Sequence, residues 1–364
     1  MAIGQGTVAD VVMDRAVDFW RGKRVLVTGH TGFKGAWLVM WLKQRGALVT
    51  GVALPPATQP SLFELARVDE GIDHQFGDIR DASALARTVR AARPEIVFHL
   101  AAQALVRLSY REPLQTFGSN VMGTAHLLDA LRAQEGVRVA VMVTTDKVYH
   151  NREWHYPYRE DEALGGHDPY SASKAASEFV IASYRDAFLA AQGVAVASAR
   201  AGNVIGGGDW SEDRLLPDAM RAWQSGRVLE IRRPEAIRPW QHVLEPLSGY
   251  MALARQLWTH PELAAAYNFG PPPDQAATVR QVIELARSAY GIGQVSYQNN
   301  SNGPHEAGCL KLEVAKVRAV LGVKPRLGLA QAVNDTVAWY RTQQQGADAR
   351  ALCEAQIAAF EALP

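Results

Sequence analysis

Between residues 24 and 53 the chain spells a strand, a glycine-rich turn, a helix and a second strand, an order that leaves few folds open. Arg24-Val25-Leu26-Val27 is a short apolar run suited to a first strand. Residues 36–45 read as a helix with Gly46 as its C-cap, and residues 48–53 as a second strand. The turn is Thr28-Gly29-His30-Thr31-Gly32-Phe33-Lys34-Gly35, with glycines three residues apart. One lets the chain turn sharply, one lets a pyrophosphate approach the backbone, and one lets the helix pack closely on the sheet. The phosphate charge then sits at the helix N-terminus.

The alternation continues. Strands are expected at residues 95–100, 137–144 and 194–199, with helices at 82–92, 113–134 and 172–192. Nearly continuous apolar strands between helices predict an α/β fold with a doubly wound parallel sheet covered on both faces. After Asn203 the rhythm breaks into Gly206-Gly207-Gly208-Asp209-Trp210, prolines and tryptophans, with short strands at 228–231 and 266–269 among helices. This predicts a smaller C-terminal α/β lobe for substrate. The expected division is an N-terminal extension over 1–22, a dinucleotide-binding domain mainly over 23–205 and the lobe mainly over 206–364, with some chain crossing back to the sheet.

Composition excludes some partners. The 364 residues carry 38 Lys and Arg against 37 Asp and Glu, and no long basic run, so neither nucleic acid nor an anionic membrane is an expected partner. Cys309 and Cys353 are too far apart in sequence for a disulfide framework or a metal-ligand spacing. His150 and His155 flank Glu153, but not at the spacing of a helical two-histidine zinc site, and no metal is expected. Residues 1–22 do not read as a signal peptide, and nothing later approaches a membrane span. A soluble, cytoplasmic protein is the expectation.

Two groups of residues carry chemistry. Tyr170 and Lys174, four apart in Tyr170-Ser171-Ala172-Ser173-Lys174, share one face of a helix, where an ammonium favours tyrosinate. Such a tyrosine removes a proton from an alcohol as hydride leaves for a nicotinamide. Thr145-Asp146-Lys147 lies 25 residues upstream and follows a strand. Alcohol oxidation does not need this second acid and base, so a further step on the transient ketone, such as elimination of water, is expected. Asp78, in Gly77-Asp78-Ile79-Arg80-Asp81, is placed to accept a hydrogen bond from an adenine amino group. His99-Leu100-Ala101-Ala102-Gln103 ends a strand in small residues, leaving room for a cofactor at the sheet's C-terminal edge.

With these motifs in place, the chain resembles the extended short-chain dehydrogenase/reductase family, over residues 23–340. The resemblance rests on residues 28–35, 78–80 and 99–103, on Asn120, Thr144, Thr145, Asp146 and Lys147, on Tyr170 with Lys174, and on Ala201-Gly202-Asn203-Val204. It implies a Rossmann-type fold. Residues 200–210, Asp213-Arg214-Leu215 and Arg238-Pro239-Trp240-Gln241-His242-Val243-Leu244-Glu245-Pro246 are similar to the CDP-sugar branch of the nucleotide-sugar 4,6-dehydratases. Asp146-Lys147 agrees with that branch, because dTDP-sugar relatives carry Asp-Glu there.

The resemblance implies CDP-glucose as substrate and NAD as cofactor, the latter held by Gly29, Thr31, Gly32, Phe33, Lys34, Gly35, Asp78, Ile79, Arg80, Leu100, Ala101, Ala102, Gln103, Asn120, Thr144, Tyr170 and Lys174. By the same likeness, Tyr170 takes the C4 hydroxyl proton while Thr145 hydrogen-bonds that oxygen. Asp146 is then the acid at the C6 hydroxyl and Lys147 the base at C5. Gln103, Asn203, Arg214, Arg238, Trp240 and His305 are the implied substrate contacts, with Arg200 supporting the sheet edge instead. The second strand ends without the acid that would select NAD over NADP, and Arg80 can tolerate a 2'-phosphate. A homodimer is implied as well. Two other readings stay open: an epimerase or ketoreductase of the same fold, which needs Tyr170 and Lys174 but not Asp146-Lys147, and a noncatalytic dinucleotide-binding protein, which needs neither.

Overall fold

The computed structural model describes residues 19–298 and 307–364. Seven strands form one sheet: β1 (Arg24–Thr28), β2 (Leu48–Ala53), β3 (Asp73–Phe76), β4 (Ile96–His99), β5 (Val139–Val143), β6 (Ala195–Ala201) and β7 (Ala266–Phe269). Their spatial order is β7-β6-β5-β4-β1-β2-β3, and every neighbouring pair is parallel. The order reverses direction between β1 and β4. A crevice at the C-terminal ends of the strands therefore opens there, where doubly wound sheets bind ligands.

Both faces are buried because each strand divides its side chains. Val139, Val141 and Val143 of β5 face one core, shared with Trp37 and Tyr250, while Ala140 and Met142 face a second, shared with Leu127 and Leu128. Each fully buried valine contributes about 1.5–3 kcal/mol. Helix α1 (Phe33–Gln44) is buried from Gly35 through Leu42, so its sequence shows little amphipathic contrast. Gly46, at φ +78°, turns the chain out of it into β2.

Helix α2 (Ala82–Ala92) opens on Asp81, whose carboxylate accepts from Ala84 N. The single helix expected over 113–134 is interrupted. Pro113–Phe117 is α-helical, Gly118–Met122 forms a π turn, and α3 (Gly123–Arg132) follows. The wider turn carries Asn120, and such turns often mark functional sites. Helix α4 (Pro169–Tyr184) starts earlier than residue 172, because Asp168 caps it through Ser171 N and Pro169 sits in its first turn.

The lobe contains α5 (Leu215–Gln224) and three two-stranded pairings, residues 241–242 with 204–205, 277–278 with 237–238, and 295–297 with 229–231, while α6 (Leu244–Thr259) packs back on β5 and β6 of the main sheet. One expectation is corrected. Residues 266–269 do not belong to the lobe, because they pair in parallel with β6 and close the edge of the main sheet. The short run Ala266–Phe269 has no local signal that tells one sheet from another; only its partner strand decides.

Candidate active site

The glycine turn joins β1 to α1 under tight steric control. A Cβ on Gly35 would stand 2.1 Å from the Gly29 carbonyl oxygen, and one on Gly29, at φ +79°, would meet Ala101 N at 2.6 Å. Gly32 differs. Its Cβ would meet only the Gly29 oxygen at 3.4 Å, and it is the exposed N-cap of a helix with no side-chain cap and no acid in its first turn. The free N-terminus of α1 and the bare side of Gly32 fit a pyrophosphate. Gly32→Ala is therefore expected to leave the thermal midpoint within a degree or two, roughly the shift of a few tenths of a kcal/mol in a chain this size, yet to weaken dinucleotide binding. Calorimetry alongside a binding titration checks both, and unchanged affinity would remove Gly32 from the phosphate site.

Around the turn, Thr31 Oγ1 donates to the Leu54 carbonyl at 2.8 Å, tying the loop to the end of β2. Thr28 and His99 lie 2.7 Å apart, and Thr28 also accepts from Ala101 N. Asp78 is engaged by Arg80, whose guanidinium and backbone N–H both donate to it, and this pairing holds its carboxyl below the usual range. Arg80 is thus already matched to a carboxylate rather than set aside for a 2'-phosphate. Ile79 is buried against Gly123.

Gln103 and Asn120 make hydrogen bonds within the protein. The Gln103 amide donates to the Leu105 carbonyl and to Thr116, and accepts from Leu105 N, so its side chain folds the loop. Asn120 is buried, accepts from Gln103 N, and donates to Gln103 O and Ser173 Oγ. It fastens the loop after β4 to α4. Leu100, Ala101 and Ala102 lie along that loop, half-buried.

The acid–base groups converge at the end of β5. Thr145 ends the extended segment, and Asp146–Val148 make a single 3-10 turn. Thr145 Oγ1 donates to Asp146 Oδ1 at 3.0 Å and is also hydrogen-bonded to the Tyr170 hydroxyl. Asp146 is buried, and its Oδ2 has no hydrogen-bond partner among the described residues. Burial pushes its carboxyl upward, against Lys147, Thr145 and Arg238. Burial pulls the Lys147 ammonium downward, with Asp146 opposing and Arg238 assisting. Ordinary surface behaviour would leave the acid ionised and the lysine charged; desolvation moves each toward its neutral form.

The pairing of Tyr170 with Lys174 takes a different form from the one expected. Burial raises the Tyr170 phenol, and the groups that counter it are Thr145 and Arg214. Lys174 Nζ instead donates to the Val143 carbonyl at 2.9 Å, and burial lowers its pKa to about 8 against the charge of Glu178. Lys34 faces the same centre: burial, then Lys174 and Arg214, lower it to about 7, while Asp146 opposes.

Of the expected substrate residues, Arg214 and Arg238 reach the catalytic centre electrostatically, acting on Tyr170, Lys147 and Asp146. Arg214 also donates to the Ala104 carbonyl, and Arg238 to the Ile237 and Ala307 carbonyls. Asn203 is half-buried beside the strand pair at 204–205 and 241–242. Trp240 is a correction: it is 6% exposed and donates its indole N–H to the Ala277 carbonyl, so it packs the lobe and offers no face for stacking. His305 lies outside the described residues.

Sequence reasoning passed over Glu178. It sits on α4 one turn beyond Lys174, and its buried carboxylate accepts from Arg200 at 2.9 Å, Ser198 at 2.7 Å and Thr144 at 2.5 Å. The four-residue spacing from Lys174 was the available signal. Arg200 stands on β6, next to the edge strand β7, and is held there by Glu178. Tyr250 of α6 was also missed; its buried hydroxyl has no hydrogen-bond partner among the described residues, and its ring lies 5.9 Å from Lys34 Nζ. Among the described residues no group of three or more His, Cys, Asp or Glu is placed to hold a metal, and no helix is long and apolar enough to cross a membrane.

Residues 26–336 match the family described as GDP-mannose 4,6 dehydratase. The chain belongs to this family. Within the dehydratase relatives, it is 46% identical to CDP-glucose 4,6-dehydratase of Salmonella typhimurium (strain LT2), over 91% of this chain and 94% of that protein. It is 31% identical to dTDP-glucose 4,6-dehydratase of Streptomyces griseus, over 87% and 93% respectively. Among solved structures, UDP-glucose 4-epimerase of Thermus thermophilus in complex with NAD superimposes with a TM-score of 0.74 at 28% identity, covering 87% of this chain and 98% of that one. This chain thus shares its fold with that epimerase.

Proposed function

We propose that this protein is an NAD-dependent dehydratase that converts CDP-glucose to CDP-4-keto-6-deoxyglucose and water. The observation that carries the reading is the Asp146-Lys147 pair, the acid buried and the lysine half-buried at the same centre as Tyr170, with both pKa values displaced toward the forms that elimination requires. An epimerase has no use for that pair. The CDP assignment rests on the 46% identity with the Salmonella relative.

When bound, NAD supplies the acceptor for the hydride lost at C4 and the donor that restores it at C6. The protein's own groups manage the protons. Tyr170, ionised after its own proton has passed by way of Thr145 to Asp146, takes the proton of the C4 hydroxyl. The ketone at C4 acidifies C5, whose proton passes to Lys147. Asp146 gives its proton to the C6 hydroxyl, which leaves as water. Lys147 later returns its proton to C5. The tyrosine has then gained one proton and the aspartate lost one, and Thr145, hydrogen-bonded to both, is placed to pass it between them. Arg214 and Arg238 supply cations for the diphosphate. Lys174 holds the cofactor ribose.

Mass spectrometry of CDP-glucose, dTDP-glucose, UDP-glucose and GDP-mannose, each incubated with protein and NAD, tests the proposal. Loss of one water from CDP-glucose alone is expected. Unchanged mass with inverted sugar stereochemistry would replace the dehydratase with an epimerase, and no reaction in any mixture would leave a binding protein.

A homodimer is supported by Leu114, Met122 and Phe179, which expose large apolar surfaces on the segments packed about α4. Sedimentation at the mass of one chain would rule it out. Two free cysteines, one of them buried, fit a reducing cytoplasm; a fractionated, tagged protein found outside the cytoplasm would overturn that placement.

A further inference from the structure

The catalytic helix is held by a buried ion pair that the proposed chemistry does not use. Glu178 and Arg200 are each 4% exposed along their side chains and lie 2.9 Å apart. Both Glu178 oxygens are occupied, one by Thr144 and the other by Ser198 and Arg200. Arg200 also donates to the Tyr149 hydroxyl and the Glu160 carbonyl, and Tyr149 donates to Asn268 of β7. Asn268 in turn donates to the carbonyls of Tyr158 and Glu313. The carboxylate is thus bound directly from the end of β5 and from β6, and Arg200 links it through Tyr149 to Asn268 of β7.

Its placement relative to Lys174 is specific. Lys174 and Glu178 are successive turns of α4, and they grip successive residues of the strand end, Lys174 at the Val143 carbonyl and Glu178 at the Thr144 hydroxyl. A buried ammonium needs a nearby counter-charge to stay protonated. We propose that Glu178, locked by Arg200, Thr144 and Ser198, is the counter-charge of Lys174, a positioning residue that keeps the ammonium available to the cofactor ribose. Of the charged groups acting on Lys174, Glu178 is the one that favours its protonated form. Lys34, on α1, is drawn down by burial and then by the charge of Lys174. His99, on β4, is held neutral by burial and by Lys174, at about 3. Arg214 faces Tyr170 and Lys34 from the lobe side.

The inference rests on the reading of Lys174 as a ribose ligand, and its test is a binding measurement that does not require turnover. NAD affinity is followed against pH by quenching of tryptophan fluorescence. In the wild type it should fall as pH rises through about 8, where Lys174 loses its charge. In Glu178→Gln the fall should begin at lower pH. An ammonium made tenfold more acidic would be charged in about one molecule in eleven at the wild-type midpoint instead of one in two, roughly a fivefold loss. Because Glu178→Gln leaves Arg200 buried without its partner, which can unfold the chain, the double variant Glu178→Gln with Arg200→Met is measured beside it. That variant removes both charges at similar volume and should keep the fold while showing the same acid shift.

A midpoint unchanged in a folded variant, with only the thermal midpoint lowered, would make Glu178 purely structural and overturn the inference. Wild-type protein that binds NAD with the expected pH dependence but dehydrates no sugar would sink the dehydratase reading and leave this one standing.

Discussion

Replacing Lys147 with alanine is expected to stop the release of water while oxidation at C4 remains measurable. The lysine is half-buried at the end of β5, and burial pulls its ammonium down toward the neutral amine that can accept a C5 proton. Tyr170 and Lys174 stand on a different element, so removing Lys147 leaves the first step its own base. General acid–base groups typically contribute about 10²–10⁴-fold, and dehydration should fall by that order. A single turnover should then show reduced nicotinamide accumulating with no loss of water from the sugar. Normal turnover by Lys147→Ala would remove the residue from the mechanism.

The pH dependence comes from the same pair. Lys147 works neutral, so its contribution is lost as pH falls through its lowered pKa. Asp146 works protonated, so its contribution is lost as pH rises through its raised pKa. In water the two values lie far apart in the wrong order, and few molecules hold both groups in the working forms. Burial brings the values toward each other and enlarges that fraction. Asp146→Asn should remove the alkaline limb of the elimination step along with most of its rate.

Tyr170→Phe is expected to abolish the reaction one step earlier, by a similar factor of about 10²–10⁴. The phenol lies buried with Thr145 bonded to it, and it is the group placed to take the C4 proton. The substitution keeps the ring, so the fold should hold while neither reduced nicotinamide nor dehydrated sugar appears. Reduced nicotinamide forming at the wild-type rate in Tyr170→Phe would assign the base to another group, and Lys34, drawn to about 7 beside Lys174, would be the next to test.

The sheet was legible because its signals are local. Apolar runs of strand length, helices between them, and glycines at positions 29, 32 and 35 each report on their own neighbourhood. The candidate acid–base residues stand out for a similar reason: Thr145-Asp146-Lys147 and the Tyr170/Lys174 spacing are short patterns, tied to the proposed chemistry by the proton transfers each step requires. The family likeness then joined them into one site.

Tertiary structure decided the rest. Trp240 reads as a stacking face in one dimension and proves to be core, because its indole N–H finds the Ala277 carbonyl 37 residues away. Residues 266–269 read as lobe and prove to be the seventh strand, because β6 lies open to pair with them. Lys174 reads as the partner of Tyr170, yet its ammonium donates to the Val143 carbonyl, since a buried ammonium follows the nearest acceptor. Which side chains can exchange protons is written residue by residue along the chain. Their protonation states come from burial, which depends on what the whole chain packs around them and is written in no single segment.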